Sequence, residues 1–362
     1  MEVKNLRKAY LILEDGSIFS GFGFGAEKTV SGEVVFNTGM VGYTEAITDP
    51  SYKGQILCQT YPMIGNYGVS PEDFESDNIK IEGYIVREVC EKPNHWKNNI
   101  TLYEFLMKND VPGIYGIDTR MLTKKLRSKG VMLGILTNFE DKEILMKKLS
   151  KIEDPNKRDL VREVTINKPI IYDGCEKTIV VIDCGVKLSI IKSLIKRKSN
   201  VIRVPAFFTA DEIMRFNPDG IIISNGPGDP KKIEYVINSV RDLTEYKIPI
   251  MGICLGNQII ALAFGGDTYK LKFGHRGQNH PCMDLRTKKC YITTQNHGFT
   301  INSKSLNELE ISFVNLNDMT IEGVQHKKFP IFGVQFHPEG APGPYDTEFL
   351  FDKFMKMIVY AK

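Results

Sequence analysis

Long apolar runs are missing from this 362-residue chain; nowhere do 18 or more apolar residues follow one another, so no membrane-spanning helix is expected. An excess of either charge is missing too, since 47 Lys and Arg stand against 44 Asp and Glu. A chain so balanced offers no overall electrostatic footprint for nucleic acid or an anionic membrane. The seven cysteines are an odd, scattered set without a Cys-x-x-Cys pair, which argues against a disulfide framework and a zinc ribbon. Met1 to Tyr10 is polar and basic and lacks the apolar core of a secretion signal. These absences lead to the expectation of a cytoplasmic protein without nucleic-acid or membrane partners.

What is present is an ordinary globular composition, 42% hydrophobic and 25% charged, over a length that suits two domains. From Tyr10 to about Val89 the chain reads as short strands and turns, with a hairpin turn at Glu14-Asp15-Gly16-Ser17. Helical periodicity enters at Thr101 to Asn109 and again at Thr119 to Lys129, after an Asp118 or Thr119 cap. A smaller mixed α+β domain over 1–153 is expected, followed by a linker over 154–176 with Pro155, Pro169 and Gly174. Over 177–362 strands and helices alternate. Ile179 to Asp183, Asn200 to Val204, Gly220 to Ser224 and Ile248 to Ile253 read as strands, and the helices fall between them. That alternation predicts an α/β domain built on a doubly wound, mostly parallel sheet. The basic stretch Lys187 to Lys198 reads as a solvated helix with Leu188, Ile191, Leu194 and Ile195 as its buried stripe.

Gly252-Ile253-Cys254-Leu255-Gly256 follows an apolar strand and precedes a helical segment, so Cys254 is expected at a strand-to-helix turn. A helix N-terminus behind a thiol stabilises the thiolate through its dipole and unpaired amides. The Leu255 N–H is the natural first donor to an oxyanion, and a second can come from the Asn225-Gly226-Pro227-Gly228 loop. A Cys nucleophile needs a base. His337 is the best placed of six histidines, because it follows the apolar strand Ile331 to Phe336. Glu339, two residues on, can return its carboxylate to the imidazole side and fix the tautomer, giving a Cys254-His337-Glu339 triad for acyl transfer. Cys58, Cys90 and Cys184 sit in or beside apolar runs and read as core residues. His275, His280, His297 and His326 lack the paired short spacings of zinc ligands, so no metal site is expected. Gly21, Gly23 and Gly25 lie in a hairpin with no following helix and do not form a dinucleotide loop.

Three ordered motifs, Asn225-Gly226-Pro227-Gly228, Gly252 to Gln258 and His337-Pro338-Glu339, make the second half resemble the class I, triad-type glutamine amidotransferases. In the first half, Gly32 to Met40, Thr48-Asp49-Pro50-Ser51-Tyr52, Tyr61-Pro62-Met63-Ile64-Gly65-Asn66 and Gly116-Ile117-Asp118-Thr119-Arg120 look like the amino-terminal domain of carbamoyl-phosphate synthase small subunits. That resemblance implies L-glutamine as the amide substrate. It also implies glutamine contacts at Ser51, Gly226, Gly228, Leu255, Gln258, Asn296, Gly298 and Phe299. It further implies a large synthetase subunit as partner, which receives the ammonia and uses ATP and Mg with bicarbonate for arginine and pyrimidine synthesis; no cofactor is expected in this chain. One departure is Asn257, where the family pattern usually has His; only a local change in hydrogen bonding is expected from it. Amidotransferases feeding anthranilate, guanylate or cytidylate synthesis lack the first domain, and a non-catalytic scaffold would have lost the nucleophile or the base.

Overall fold

The structure is a computed structural model that describes residues 7–138, 142–149 and 151–360. The chain divides into two compact units between Arg158 and Asp159.

The first unit contains β1 (Lys8–Leu13), β2 (Ile18–Gly25), β3 (Val30–Asn37), β4 (Gln55–Gln59), β5 (Met63–Ile64), β6 (Gly83–Ile85), β7 (Glu88–Val89), β8 (Pro112–Tyr115) and β9 (Met132–Thr137). Its helices are α1 (Tyr43–Thr48), α2 (Leu102–Lys108), α3 (Thr119–Lys129) and α4 (Lys142–Leu149). Seven strands close a barrel in the order β1-β2-β8-β6-β4-β3-β9, while β5 and β7 pair separately. Closure leaves no open edge among the barrel strands. The Glu14 to Ser17 turn joins β1 to β2, with the Ser17 N–H donating to the Asp15 carboxylate at 3.0 Å. Thr101 and Glu104 form a reciprocal capping box at the start of α2, and the Asp118 side chain caps α3 by accepting from the Met121 N–H at 2.8 Å. The core joins Val35, Leu57 and Tyr84 of the barrel to Ile47 of α1 and Leu102, Phe105 and Leu106 of α2.

The stretch expected to link the domains carries short elements of its own. Pro155–Lys157 is a 3-10 turn in the first unit, and Val161–Glu163 is another in the second. β10 (Ile170–Tyr172) then pairs antiparallel with an outer strand of the second sheet, Ile171 opposite Ile202. Two adjacent β-branched residues suit a strand, and that sheet edge gives their backbone partners.

The second unit is built on a ten-stranded sheet. After β10 its strands are β11 (Thr178–Asp183), β12 (Asn200–Pro205), β13 (Gly220–Ile223), β14 (Ile250–Ile253), β15 (Thr268–Asp284), β16 (Cys290–Ile301), β17 (Leu309–Asn315), β18 (Ile321–His326) and β19 (Ile331–Val334). The order across the sheet is β10-β12-β11-β13-β14-β19-β18-β17-β15-β16. Strands β12, β11, β13, β14 and β19 are parallel, and the long β15–β16 hairpin with β17 and β18 extends them antiparallel. The helices are α5 (Leu188–Lys196), α6 (Ala210–Met214), α7 (Glu234–Leu243), α8 (Leu255–Ala263) and α9 (Phe349–Tyr360).

Alternation along the strands feeds two cores. Val180, Ile182, Ile221 and Ile223 pack with apolar residues of α6, α7 and α8, whereas Ile179, Val181, Ile222 and Met251 pack with those of α5 and α9. In α5 the buried residues are Ile190, Ile191, Ser193 and Leu194; Leu188 is half-buried and Ile195 exposed, so the stripe is rotated from the one expected. Among the described residues no helix is long and apolar enough to cross a membrane.

α8 lies hard against β13. A Cβ on Gly256 would run into the Ile223 carbonyl oxygen, which is backbone and cannot rotate away. Gly256→Ala is expected to destabilise the second unit by about 3 kcal/mol, read as a lower urea midpoint in its unfolding transition.

Candidate active site

The carboxyl ends of neighbouring parallel strands bring the key side chains to one edge of the sheet. Cys254 follows β14, the Asn225 to Gly228 loop follows β13, and His337 stands three residues beyond the end of β19. Cys254 is the N-cap of α8 with φ 54° and ψ −101°, outside the conformations an L-residue favours. Such a residue costs about 1–3 kcal/mol and persists only where its surroundings enforce it. Here the Cys254 N–H is tied to the Val334 carbonyl at 2.8 Å, and its own carbonyl accepts from the Asn257 N–H at 3.1 Å.

The triad residues are brought together. His337 Nδ1 and Glu339 Oε1 are 2.7 Å apart, and all three residues are buried. The Cys254 side chain lies close enough to the imidazole to favour its protonation. Nε2 of His337 nevertheless has no partner at hydrogen-bond geometry, although it is buried. Burial works against charge on His337, but the Glu339 carboxylate outweighs both burial and Lys187, so the imidazole is raised well above its ordinary range. Burial likewise pushes Glu339 up, and Lys187 followed by His337 more than reverses this, holding the carboxyl below the usual range.

Lys187 was not foreseen in this role. Read from sequence as the start of a solvated helix, it is instead the buried N-cap residue of α5, and its Nζ donates to Glu339 Oε1 at 3.0 Å. Its backbone N–H donates to the Asn225 side-chain oxygen at 3.1 Å. Periodicity hid it because a cap residue lies outside the helical repeat. The missed signal was its place just after β11, at the same sheet edge as Cys254.

The residues expected to contact glutamine fall in several places. Leu255 is the first residue of α8, where N–H groups have no intrahelical acceptor. Gly226 packs against Leu255, and a Cβ there would strike the Cys184 carbonyl; Gly228, with φ 84°, packs against Leu160. Gln258 Nε2 donates to the Phe299 carbonyl at 2.8 Å, while its Oε1 is buried without a partner. The Cys254 thiol donates to the Asn296 carbonyl at 3.6 Å, and Gly298 follows two residues later on β16. Ser51 belongs to the first unit, buried in the 3-10 turn Pro50–Tyr52, with its N–H held by the Asp49 carboxylate at 2.9 Å. Gln335, also unforeseen, brings its amide to the Cys254 sulfur.

Two of the histidines come together although their spacing in the sequence did not suggest it. His275, His297 and Glu322 do assemble, with ligand atoms within 4.8 Å of one another and all three residues buried. Sequence spacing concealed this because strand pairing, which sets His275 opposite His297, brings them together. Each of their imidazole nitrogens already meets a protein group. His275 Nε2 is 2.8 Å from Asp318 and its Nδ1 3.4 Å from Glu322; His297 Nδ1 meets the Phe299 carbonyl and its Nε2 the Gln295 side chain, both at 2.8 Å. That pattern is an ion-pair network around His275. Burial disfavours its charge, the two carboxylates overcome burial, and His275 is pushed up to about 9. Neighbouring His280 is pushed down to about 4 by burial and by the charge on His275. The other cysteines behave as core or surface residues: Cys58 and Cys184 are buried, Cys90 is half-buried, and burial pushes the Cys58 thiol up to about 12.

A cysteine at a strained strand-to-helix turn, facing a carboxylate-supported histidine on a doubly wound sheet, defines a Cys-dependent acyl-transfer site of the class I glutamine amidotransferase type. Residues 180–357 match the family model "Glutamine amidotransferase class-I", and residues 11–136 match "Carbamoyl-phosphate synthase small chain, CPSase domain". The chain is 53% identical to the carbamoyl phosphate synthase small chain of Methanocaldococcus jannaschii, over 97% of this chain and 99% of that one. It is 49% identical to the small chain of Listeria monocytogenes, over 98% and 97% of the two chains. It is 47% identical to the pyrimidine-specific small chain of Bacillus subtilis, over 97% and 96%. The chain belongs to the carbamoyl-phosphate synthase small-chain family, the glutamine-hydrolysing subunits of that enzyme.

One consequence concerns pH. A histidine raised on folding stabilises the fold fully below its unfolded value of about 6.5, and that contribution fades as pH rises through about 9. The wild type is therefore expected to lose stability between pH 7 and 9.5 more steeply than His275→Gln, as measured by urea unfolding across that range.

Proposed function

We propose that Cys254, His337 and Glu339 are the catalytic triad of this glutaminase subunit. The observation that carries the reading is the buried His337 imidazole, held by Glu339 on Nδ1 and open at Nε2 beside the Cys254 thiol. His337 takes the proton from Sγ, and the sulfur attacks the side-chain carbonyl of L-glutamine. Nε2 returns that proton to the departing ammonia, leaving a thioester. It then takes a proton from water, which cleaves the thioester to glutamate and frees the thiol. The Leu255 N–H at the start of α8, with an N–H of the Gly226 to Gly228 loop, holds the oxyanion. The unpartnered Oε1 of Gln258 supplies an acceptor for the substrate, and Asn296, Gly298 and Phe299 complete the second unit's share of the glutamine contacts that the family resemblance implies. A polar substrate suits these buried polar atoms, which otherwise carry the cost of unmet hydrogen bonds.

Ammonia is delivered to a large synthetase subunit, which uses ATP, Mg and bicarbonate to make carbamoyl phosphate for arginine and pyrimidine synthesis. This chain needs no cofactor or metal of its own, and the complex works in the cytoplasm. Family membership, with relatives that are themselves named small chains, supports that division of labour.

Cys254→Ser is expected to lower glutaminase turnover about a thousandfold or more. In the complex reconstituted with its large subunit, synthesis from added ammonia should stay near the wild-type rate. A Cys254→Ser protein hydrolysing glutamine at the native rate refutes the assignment. His337→Asn should be as severe, and Glu339→Gln less so.

Lys187→Met tests the electrostatics. Lys187 lowers His337, so its loss raises the imidazole further, and the free base needed for thioester hydrolysis appears only at higher pH. Turnover should fall about tenfold at pH 7 and recover toward wild type in alkali, the size expected when the loss of one nearby charge cuts the fraction of free imidazole roughly tenfold. A pH–kcat profile of unchanged shape counts against this role.

A further inference from the structure

Gln335 lies between β19 and His337 and is fully buried. Its backbone N–H donates to the Glu322 carbonyl at 2.8 Å, fixing the main chain, and its side-chain amide comes within 3.6 Å of Cys254 Sγ. What this amide can do depends on which end faces the sulfur, since a nitrogen donates to a thiolate and an oxygen repels it. Contacts on the other side settle the orientation. The Phe299 carbonyl oxygen only accepts, so the Gln258 amide 2.8 Å away presents its nitrogen there. The second hydrogen of that nitrogen needs an acceptor, and the Gln335 side chain lies 3.1 Å from it. The Asn257 side-chain nitrogen approaches the same Gln335 atom at 3.4 Å. That atom is therefore oxygen, and Nε2 is left facing the sulfur.

We propose that Gln335 is a further catalytic residue, whose Nε2–H donates to the Cys254 sulfur and stabilises the thiolate, with Asn257 and Gln258 as positioning residues that hold its amide. This rests on Cys254 being the nucleophile. In the thiol, Sγ–H donates to the Asn296 carbonyl. When the proton passes to His337 Nε2, the S–H bond breaks, its electron pair stays on sulfur, and the anion is left beside a carbonyl oxygen that repels it. The Gln335 N–H is then the donor that remains. A neutral amide does this without adding a charge beside the buried Lys187, Glu339 and His337 group.

The test follows alkylation of Cys254 by iodoacetamide across pH in the full chain, read by mass spectrometry of the peptide holding that cysteine. Glutaminase kinetics are measured alongside in the complex with the large subunit. Gln335→Met keeps the length and loses the donor. Its alkylation at pH 7 should fall roughly tenfold, the scale of a charge-assisted hydrogen bond, while at high pH it matches wild type. Its kcat should fall to a similar extent, with KM within about twofold. Asn257→Leu should show a smaller drop of the same form, and it decides the question if Gln335→Met fails to fold by thermal unfolding. Wild-type pH dependence of alkylation in the folded variant overturns the inference and leaves the triad standing. Wild-type protein alkylated at Cys254 that still hydrolyses glutamine overturns both.

Discussion

The left-handed bend at Cys254 is the constraint on which the rest of the second unit's site depends. A residue with φ 54° between β14 and α8 turns the chain sharply enough for the thiol to leave the sheet plane at its carboxyl edge. The bend requires α8 to start at once and to lie close to β13, which in turn requires Gly256 beneath the Ile223 carbonyl. Because β13 and β19 flank β14, the loops after these three strands converge on the sulfur. Sheet order, more than sequence proximity, makes residues near 226, 254 and 337 neighbours.

Around that bend, charged and neutral polar groups occupy different positions. Lys187 and His337 share one carboxylate oxygen of Glu339, so an ammonium and an imidazole are held by one anion in a buried space. A buried carboxylate supported from two sides is far less costly than a lone one. Lys187 also restrains how strongly Glu339 raises the imidazole, which matters for the proposed mechanism, where that ring both gives up and takes a proton. The groups hydrogen-bonded to the sulfur, by contrast, are neutral: the Asn296 carbonyl and the Gln335 amide.

Much of this was readable from sequence where a motif coincides with local geometry. Cys254 between two glycines after an apolar run specified its own turn, and the two-residue step from His337 to Glu339 specified their contact. The cap of α3 was legible because Asp118 acts within three residues. Lys187, Gln335 and the His275 network were not legible, since each depends on which strands lie side by side. The β15–β16 register that sets His275 opposite His297 crosses a bulge after Lys270, and no local pattern announces that offset. Likewise β10 was hidden inside an apparent linker, because an edge strand of three residues leaves no periodicity to detect.

The two polar networks of the second unit meet at a single atom. On β16 His297 lies in the ion-pair cluster, while the backbone carbonyl of its neighbour Asn296 accepts from the Cys254 thiol. The Phe299 carbonyl accepts from Gln258 on the active-site side and lies 2.8 Å from His297 Nδ1 on the other. A carbonyl has two lone pairs and can serve both donors. The orientation of Gln258, and through it that of Gln335, is thus anchored to a strand whose position is also fixed from behind by His297, His275 and Glu322. Buried networks in which every member is satisfied hold a unique geometry. Gln258 Oε1 and His337 Nε2 are among the buried side-chain atoms left without a partner in the protein, and on the proposed mechanism an amide substrate is what meets them.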